Sequence, residues 1–305
     1  MTFLFTRLFS AVLVMLSVTL LVFVLIHLIP GDPVDVMLGE SASSADRLAL
    51  RTALGLDQPL LTQLYDFLQG IMTLQMGTSL HSGEAVATLI AERLPATLQL
   101  ALLAFVLGVL PGTLLGISAA INHQRFWDKV LQFVAMSGLA IPNFLLGPLL
   151  VLLFAVLLAG LPVSGSGSLS HLVLPAMTLG LSMMAIIMRM TRSTVLEIMG
   201  EDFIRTARAK GQTPRKIMLK HILANAWLPL ITVIGAQFGA LLTGAVVTET
   251  VFDWPGLGSL LIESIHKRDY PVVQISVLLM SLIYVLVNTL TDLLYARIDP
   301  RVRLS

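Results

Sequence analysis

Cysteine is absent from the chain, so a disulfide framework, a thiolate metal site and a cysteine nucleophile are all excluded. Charge is scarce too. Only 12% of the 305 residues are Asp, Glu, Lys or Arg, half of the roughly 25% that a soluble domain carries. The net charge of +1 leaves no basic excess of the kind a nucleic-acid-binding chain needs. No G-x-x-x-x-G-K-[ST] phosphate loop, H-E-x-x-H zinc pair or G-x-S-x-G nucleophile elbow occurs, and the six histidines lack metal-ligand spacing. What is abundant is apolar surface: 56% of residues are hydrophobic and the mean hydropathy is +0.89. That composition excludes a water-soluble enzyme or a disordered chain and describes an integral membrane protein.

A bilayer-crossing helix needs about 20 mostly apolar residues. Runs of that kind lie near 9–29, 97–121, 130–161, 172–188, 227–247 and 272–290. The first follows Arg7 but is longer than a signal h-region and lacks an obvious small-residue cleavage site, so it reads as an uncleaved span. The third is too long for one straight helix and is interrupted by Pro142 and Pro148. It is expected to be a lead-in followed by a span from about Phe144, with a kink near Pro142. Between the first two spans, residues 31–93 form a mixed external segment, predicted to hold short amphipathic helices at 45–54, 59–73 and 84–94.

Charge asymmetry tests the count of six. With alternating loops, fourteen of the nineteen basic residues fall on one side, while twelve of the eighteen acidic residues fall on the other. The two sides then carry +8 and −7, so the basic side is cytoplasmic and holds both termini. Five spans or seven would scramble this separation. The expected fold is all-α and polytopic, with 1–305 a single transmembrane domain.

The span interiors lack what a self-powered carrier needs. Ion-coupled transporters place titratable residues at mid-membrane, yet here His27, Glu249 and Asp292 sit near span ends. Gln237 and Asn288 are the main uncharged polar residues inside, and such residues usually serve helix–helix hydrogen bonding. Gly235, Gly239 and Gly244 fit close helix packing or a glycine-lined conduit. Any work the protein does draws its energy from elsewhere.

The cytoplasmic loop 189–226 is the segment that could receive it. Within it, Glu201 to Lys210 starts with acids and ends with bases, matching the helix dipole. Gly211 is placed as a C-terminal stop, and Thr213-Pro214 opens the next helix. A loop that merely fixed topology or touched anionic lipid would need no such order. The pattern points to a rigid knob offered to a partner's groove.

Here the residues resemble a family. Glu201-Asp-Phe-Ile-Arg-Thr-Ala-Arg-Ala-Lys-Gly211 resembles the "EAA" coupling loop in permease subunits of binding-protein-dependent ABC importers, with Arg205-Thr206-Ala207 standing for Glu-Ala-Ala. His221-Ile-Leu-Ala224 stands for Ile-x-Leu-Pro, a departure found in the oligopeptide/dipeptide/nickel branch. Ile29-Pro-Gly-Asp-Pro33, Leu54-Gly-Leu-Asp-Gln-Pro59, Leu94-Pro-Ala-Thr-Leu98, Arg189-Met-Thr-Arg192, the Thr248–Gly258 segment, Arg268-Asp-Tyr-Pro-Val-Val-Gln274 and Ile298-Asp-Pro-Arg301 resemble that branch in order along the chain. The similarity is to the first-named, "B"-type permease of such a pair.

The resemblance implies a type I ABC importer permease fold in a bacterial inner membrane. It also implies a second permease forming a pseudo-twofold heterodimer, two cytoplasmic ATPase subunits that hold ATP and Mg²⁺, and an external solute-binding protein. This chain itself would hold no cofactor or metal and would not be an enzyme. By position, Glu201, Asp202, Arg205, Thr206, Ala207, Arg208, Lys210 and Gly211 would form the ATPase-coupling foot. Asp253, Trp254, Pro255 and Gly256 would lie near the docked binding protein, and Asn143, Gln237 and Thr243 would line a weakly polar path. The substrate class would be short peptides, with nickel–chelator complexes or glutathione as alternatives. An ion-coupled secondary transporter, a non-transporting scaffold and an intramembrane hydrolase are the rivals from other classes.

Overall fold

Apolar runs as long as a bilayer is thick must satisfy their own backbone hydrogen bonds, and helices do so within a single segment. The computed structural model describes residues 2–28, 32–38, 43–73, 75–158 and 160–298. Residues 29–31, which belong to the first proline–glycine motif, and 299–305, which hold Arg301 and Arg303, lie outside the described residues. Among the described residues there is no strand beyond a single bridge between Thr78 and Ala85. Among the described residues five helices are long and apolar enough to cross a membrane, or up to six if a bent pair counts as one span.

The chain divides into two compact units, Met1–Ala96 with Pro255–Ile283, and Thr97–Trp254 with Tyr284–Ser305. The first unit opens with α1 (Thr2–Leu28), where Val12, Leu13, Leu20, Leu21 and Val24 are exposed. Short helices follow: α2 (Pro33–Leu38), α3 (Ser44–Ala53) and α4 (Leu60–Met72). Ser43 caps α3 by accepting from the Asp46 N–H at 3.2 Å. Arg47 and Arg51 tie α3 back to Asp35 and Asp32. Helix α5 begins at Val86, so the amphipathic helix expected at 84–94 is continuous with the span that follows it and runs unbroken to Ile121. Buried Val86 and Ile90 fasten its first turns among Leu257, Leu260, Val272 and Ile275 of α12 (Leu257–His266) and α13 (Tyr270–Ile298). Asp269, 3% exposed, accepts from the Ser79 hydroxyl and from the Leu80 N–H at 3.1 Å, closing the 77–83 loop onto α13.

The second unit carries the remaining spans. The third apolar run breaks where Pro142 interrupts it: α6 (Phe126–Ala140) and α7 (Asn143–Leu150), continued by a wider helical stretch Val151–Leu157, meet at 109°. Pro148 denies α7 one backbone donor. Helix α8 (Leu169–Met199) crosses α5 closely. A Cβ at Gly116 would lie 2.6 Å from the Met188 carbonyl oxygen and from the Thr191 Cβ, so only glycine permits this approach. Helix α11 (Leu223–Val251) packs on α13 in the same manner, the Cβ position of Gly239 lying 2.3 Å from the Tyr284 ring. Between α8 and α11 the chain forms α9 (Asp202–Ala209) and, after Gly211, α10 (Pro214–Lys216), continued by another wide turn Ile217–Ile222.

Candidate functional site

An eight-residue helix is too short to persist alone, since isolated helices under about 12–15 residues are marginal in water. Helix α9 persists because its single apolar stripe is docked. Ile204 (0% exposed) and Ala207 (5%) sit in a cluster with Val195 of α8, Ile217 and Ile222 of the returning chain, and Ala226 and Leu230 of α11. Spacing of three residues puts both anchors on one face. All the other residues of α9, including Phe203, Arg205, Thr206 and Arg208, face away, as does Lys210 just beyond it. The ion pair between Arg205 and Asp202 spans 3.3 Å and is open to solvent, so it adds little to stability.

Two devices end the foot. Gly211 takes φ +73°, the left-handed region that glycine enters without Cβ strain, and no atom lies within 4 Å of where a Cβ would stand. Beyond it the Gln212 carboxamide meets His221 Nε2 at 2.8 Å, bracing the turn against the stretch that leads into α11. Pro214 then occupies the first helical position, where a missing N–H costs nothing. A cleft of about 600 Å³ opens beside the foot between Ile121, Met199, Met218 and Leu219, with Arg208 and Arg215 on its wall.

Every residue predicted for the foot therefore lies on one small surface element. Ala207 alone points inward. Ile204, which carries the most of the anchoring, was not singled out from the sequence. The signal for it was the i, i+3 spacing to Ala207. Phe203, 43% exposed, is an aromatic on the free face that the sequence reading also passed over.

The other predicted positions spread wider. Asn143, half-buried at the start of α7, accepts at 2.5 Å from the Ser182 hydroxyl of α8 and lies 3.2 Å from the Cβ position of Gly244. Gln237 lies seven residues before Gly244 and so on the same side of α11. Thr243 is exposed and turns its hydroxyl back toward the Gly239 carbonyl at 3.4 Å. In the 253–256 segment, Asp253 is exposed with φ +50°, while Trp254, the last residue of that stretch in the second unit, is 4% exposed. Pro255 and Gly256 open α12 in the first unit. Among the described residues no group of three His, Asp or Glu comes together to hold a metal ion.

Long apolar helices with a docked basic foot between α8 and α11 are now matched by sequence. The family described as "Binding-protein-dependent transport system inner membrane component" covers residues 112–304, and its N-terminal companion covers residues 1–101. The chain belongs to this family. It is an ABC transporter permease, multi-pass in the bacterial inner membrane. The permease is similar to the glutathione transport system permease protein GsiC of Salmonella choleraesuis (strain SC-B67), at 42% identity over 297 residues and 97% of each chain. It is 41% identical to GsiC of Escherichia coli (strain K12), again over 97% of each. An inward-facing form of the MetNI methionine ABC transporter superposes with a TM-score of 0.60 at 17% identity, over 70% of the permease and 97% of that chain. An amino acid ABC transporter gives 0.55 at 19% identity, over 69% and 94%. At such identities the likeness speaks for the fold alone.

Proposed function

We propose that the permease forms half of the translocation path of an ATP-driven importer for short peptides, a class that includes glutathione. A second permease of similar architecture completes the path, an external solute-binding protein delivers the substrate, and two cytoplasmic ATPase subunits bind and hydrolyse Mg²⁺–ATP. In this reading the bent α6–α7 pair is one span, six spans cross the bilayer, and both termini are cytoplasmic, since that arrangement puts +8 inside and −7 outside. Residues 201–211 enter a groove on an ATPase subunit. ATPase closure draws the two feet together and turns the bundles outward-open, and hydrolysis resets them. Asn143, Gln237 and Thr243 line the path, and Asp253 marks the external docking side.

One observation carries this reading. A helix that cannot stand alone is held by Ile204 and Ala207 so that Arg205, Arg208 and Lys210 face outward from a fixed base. A topogenic loop has no reason to be so anchored. The peptide class is supported by the near full-length similarity to proteins named as glutathione permeases. The test is reconstitution of the assembled importer with Gly211→Trp. The expected result is loss of glutathione uptake and of stimulated ATPase activity with membrane insertion intact, whereas unchanged uptake refutes the foot. Uptake that persists in vesicles lacking the ATPase subunits marks a secondary transporter instead. The ligand that co-purifies with the neighbouring binding protein decides between a peptide and a nickel–chelator complex.

A further inference from the structure

Asp128 stands in the first turn of α6, just before the third apolar run, and is 1% exposed. Its two oxygens accept four hydrogen bonds: Arg192 Nε at 2.7 Å and Gln132 Nε2 at 2.9 Å on Oδ1, Arg192 Nη2 at 2.8 Å and the Gln124 N–H at 2.9 Å on Oδ2. A carboxylate offers about four acceptor positions, and all are used. The Arg192 guanidinium also reaches His123 Nδ1 at 3.1 Å. This is a saturated fork closed between residues 64 apart, unlike the exposed, single-contact pair of the foot.

Its place in the fold gives it a use. Arg192 belongs to the last two turns of α8, and the foot begins directly after that helix. From the fork onward, α6 and α8 run side by side in opposite directions. Leu131 and Ala135 share a core with Ala185 and Met188, the Cβ position of Gly138 lies 3.5 Å from the Ala185 Cβ, and beyond the break Asn143 meets Ser182. The buried residues of α6 are Asp128, Leu131 and Ala135 alone. The apolar contacts of this seam include no directional bond, whereas a bidentate fork resists sliding, because a shift of one ångström lengthens both of its parallel bonds at once.

We propose that Asp128 and Arg192 are positioning residues that lock the register of α6 on α8, so that displacement of the foot is handed to the broken third span and to Asn143 instead of being lost as slip. This rests on the reading of residues 201–211 as the ATPase-coupling foot and adds the route by which the foot's motion leaves it.

The test uses the fully assembled importer in proteoliposomes, with glutathione as the probe, and reads uptake and stimulated ATP hydrolysis together. Arg192→Lys keeps the charge and loses the fork, and Asp128→Asn keeps the shape and loses the charge. Both are expected to lower uptake about tenfold while ATP hydrolysis falls less than twofold, so that ATP consumed per glutathione rises at least fivefold. The double variant Asp128→Arg with Arg192→Asp is expected to recover part of that ratio, which a mere folding defect cannot explain. Should Asp128→Asn not assemble, Arg192→Lys, the milder change, carries the test. An unchanged ratio in assembled Arg192→Lys overturns the proposal, and so does a parallel fall of uptake and hydrolysis. Failure of the foot reading itself has another signature, namely Arg205→Glu leaving both rates at the wild-type level.

Discussion

Replacing Ile204 with alanine removes three carbons from a side chain with no exposed surface. Transfer alone accounts for about 0.8 kcal/mol per carbon, and the cavity left among Val195, Ile217 and Ile222 raises the cost to about 2–5 kcal/mol. For most proteins that loss is spread over global unfolding. Here it falls on a single eight-residue helix whose only other buried anchor is Ala207. A cost of about 3 kcal/mol multiplies the undocked population of the foot by roughly 150, since each 1.4 kcal/mol is tenfold. Amide hydrogen exchange of residues 203–210, measured on the assembled importer in nanodiscs, reads this opening directly. Protection there is expected to fall by a factor on the order of 100 while the α8 and α11 interiors keep theirs, and uptake and ATP hydrolysis fall together. Arg205→Ala, on the free face with 74% of its side chain exposed, is the control: exchange stays within about twofold and only the coupled activities drop. Unchanged exchange in Ile204→Ala refutes the claim that tertiary docking alone holds the foot.

Other perturbations act at different places in the fold. At Gly211 the space is open and only the backbone objects, so a side chain costs about 1–2 kcal/mol. Stimulated ATPase activity is expected to decline in the order Asn, Ala, Val. At Gly116 the reverse holds: the backbone is ordinary, but alanine would clash with Met188 and Thr191, for about 1–3 kcal/mol of overpacking, read as a lower Tm in detergent.

Much of this molecule is legible because a membrane imposes one-dimensional rules. Run length and loop charge place the apolar segments, and the stops at Gly211 and Pro214 delimit the foot locally. Local punctuation was less dependable elsewhere. The separate helix expected at 84–94 is instead the start of α5, because Val86 and Ile90 are buried in a core supplied by residues 257–278. Pro142 marked the place of the break in the third run but could not say that the chain turns there by 109°.

Composition and residue order are enough to make this a membrane-spanning chain, since hydropathy and charge count can be read without any knowledge of which residues touch. Which scarce polar groups meet is settled by the fold in three dimensions: Ser79 with Asp269, Thr97 with Glu249 at 2.7 Å, and Asp128 with Arg192. The physical reason is the strength of the interaction between unlike charges and dipoles once water is removed. It rewards pairing regardless of separation along the chain, and no local pattern records which distant partner is brought within reach.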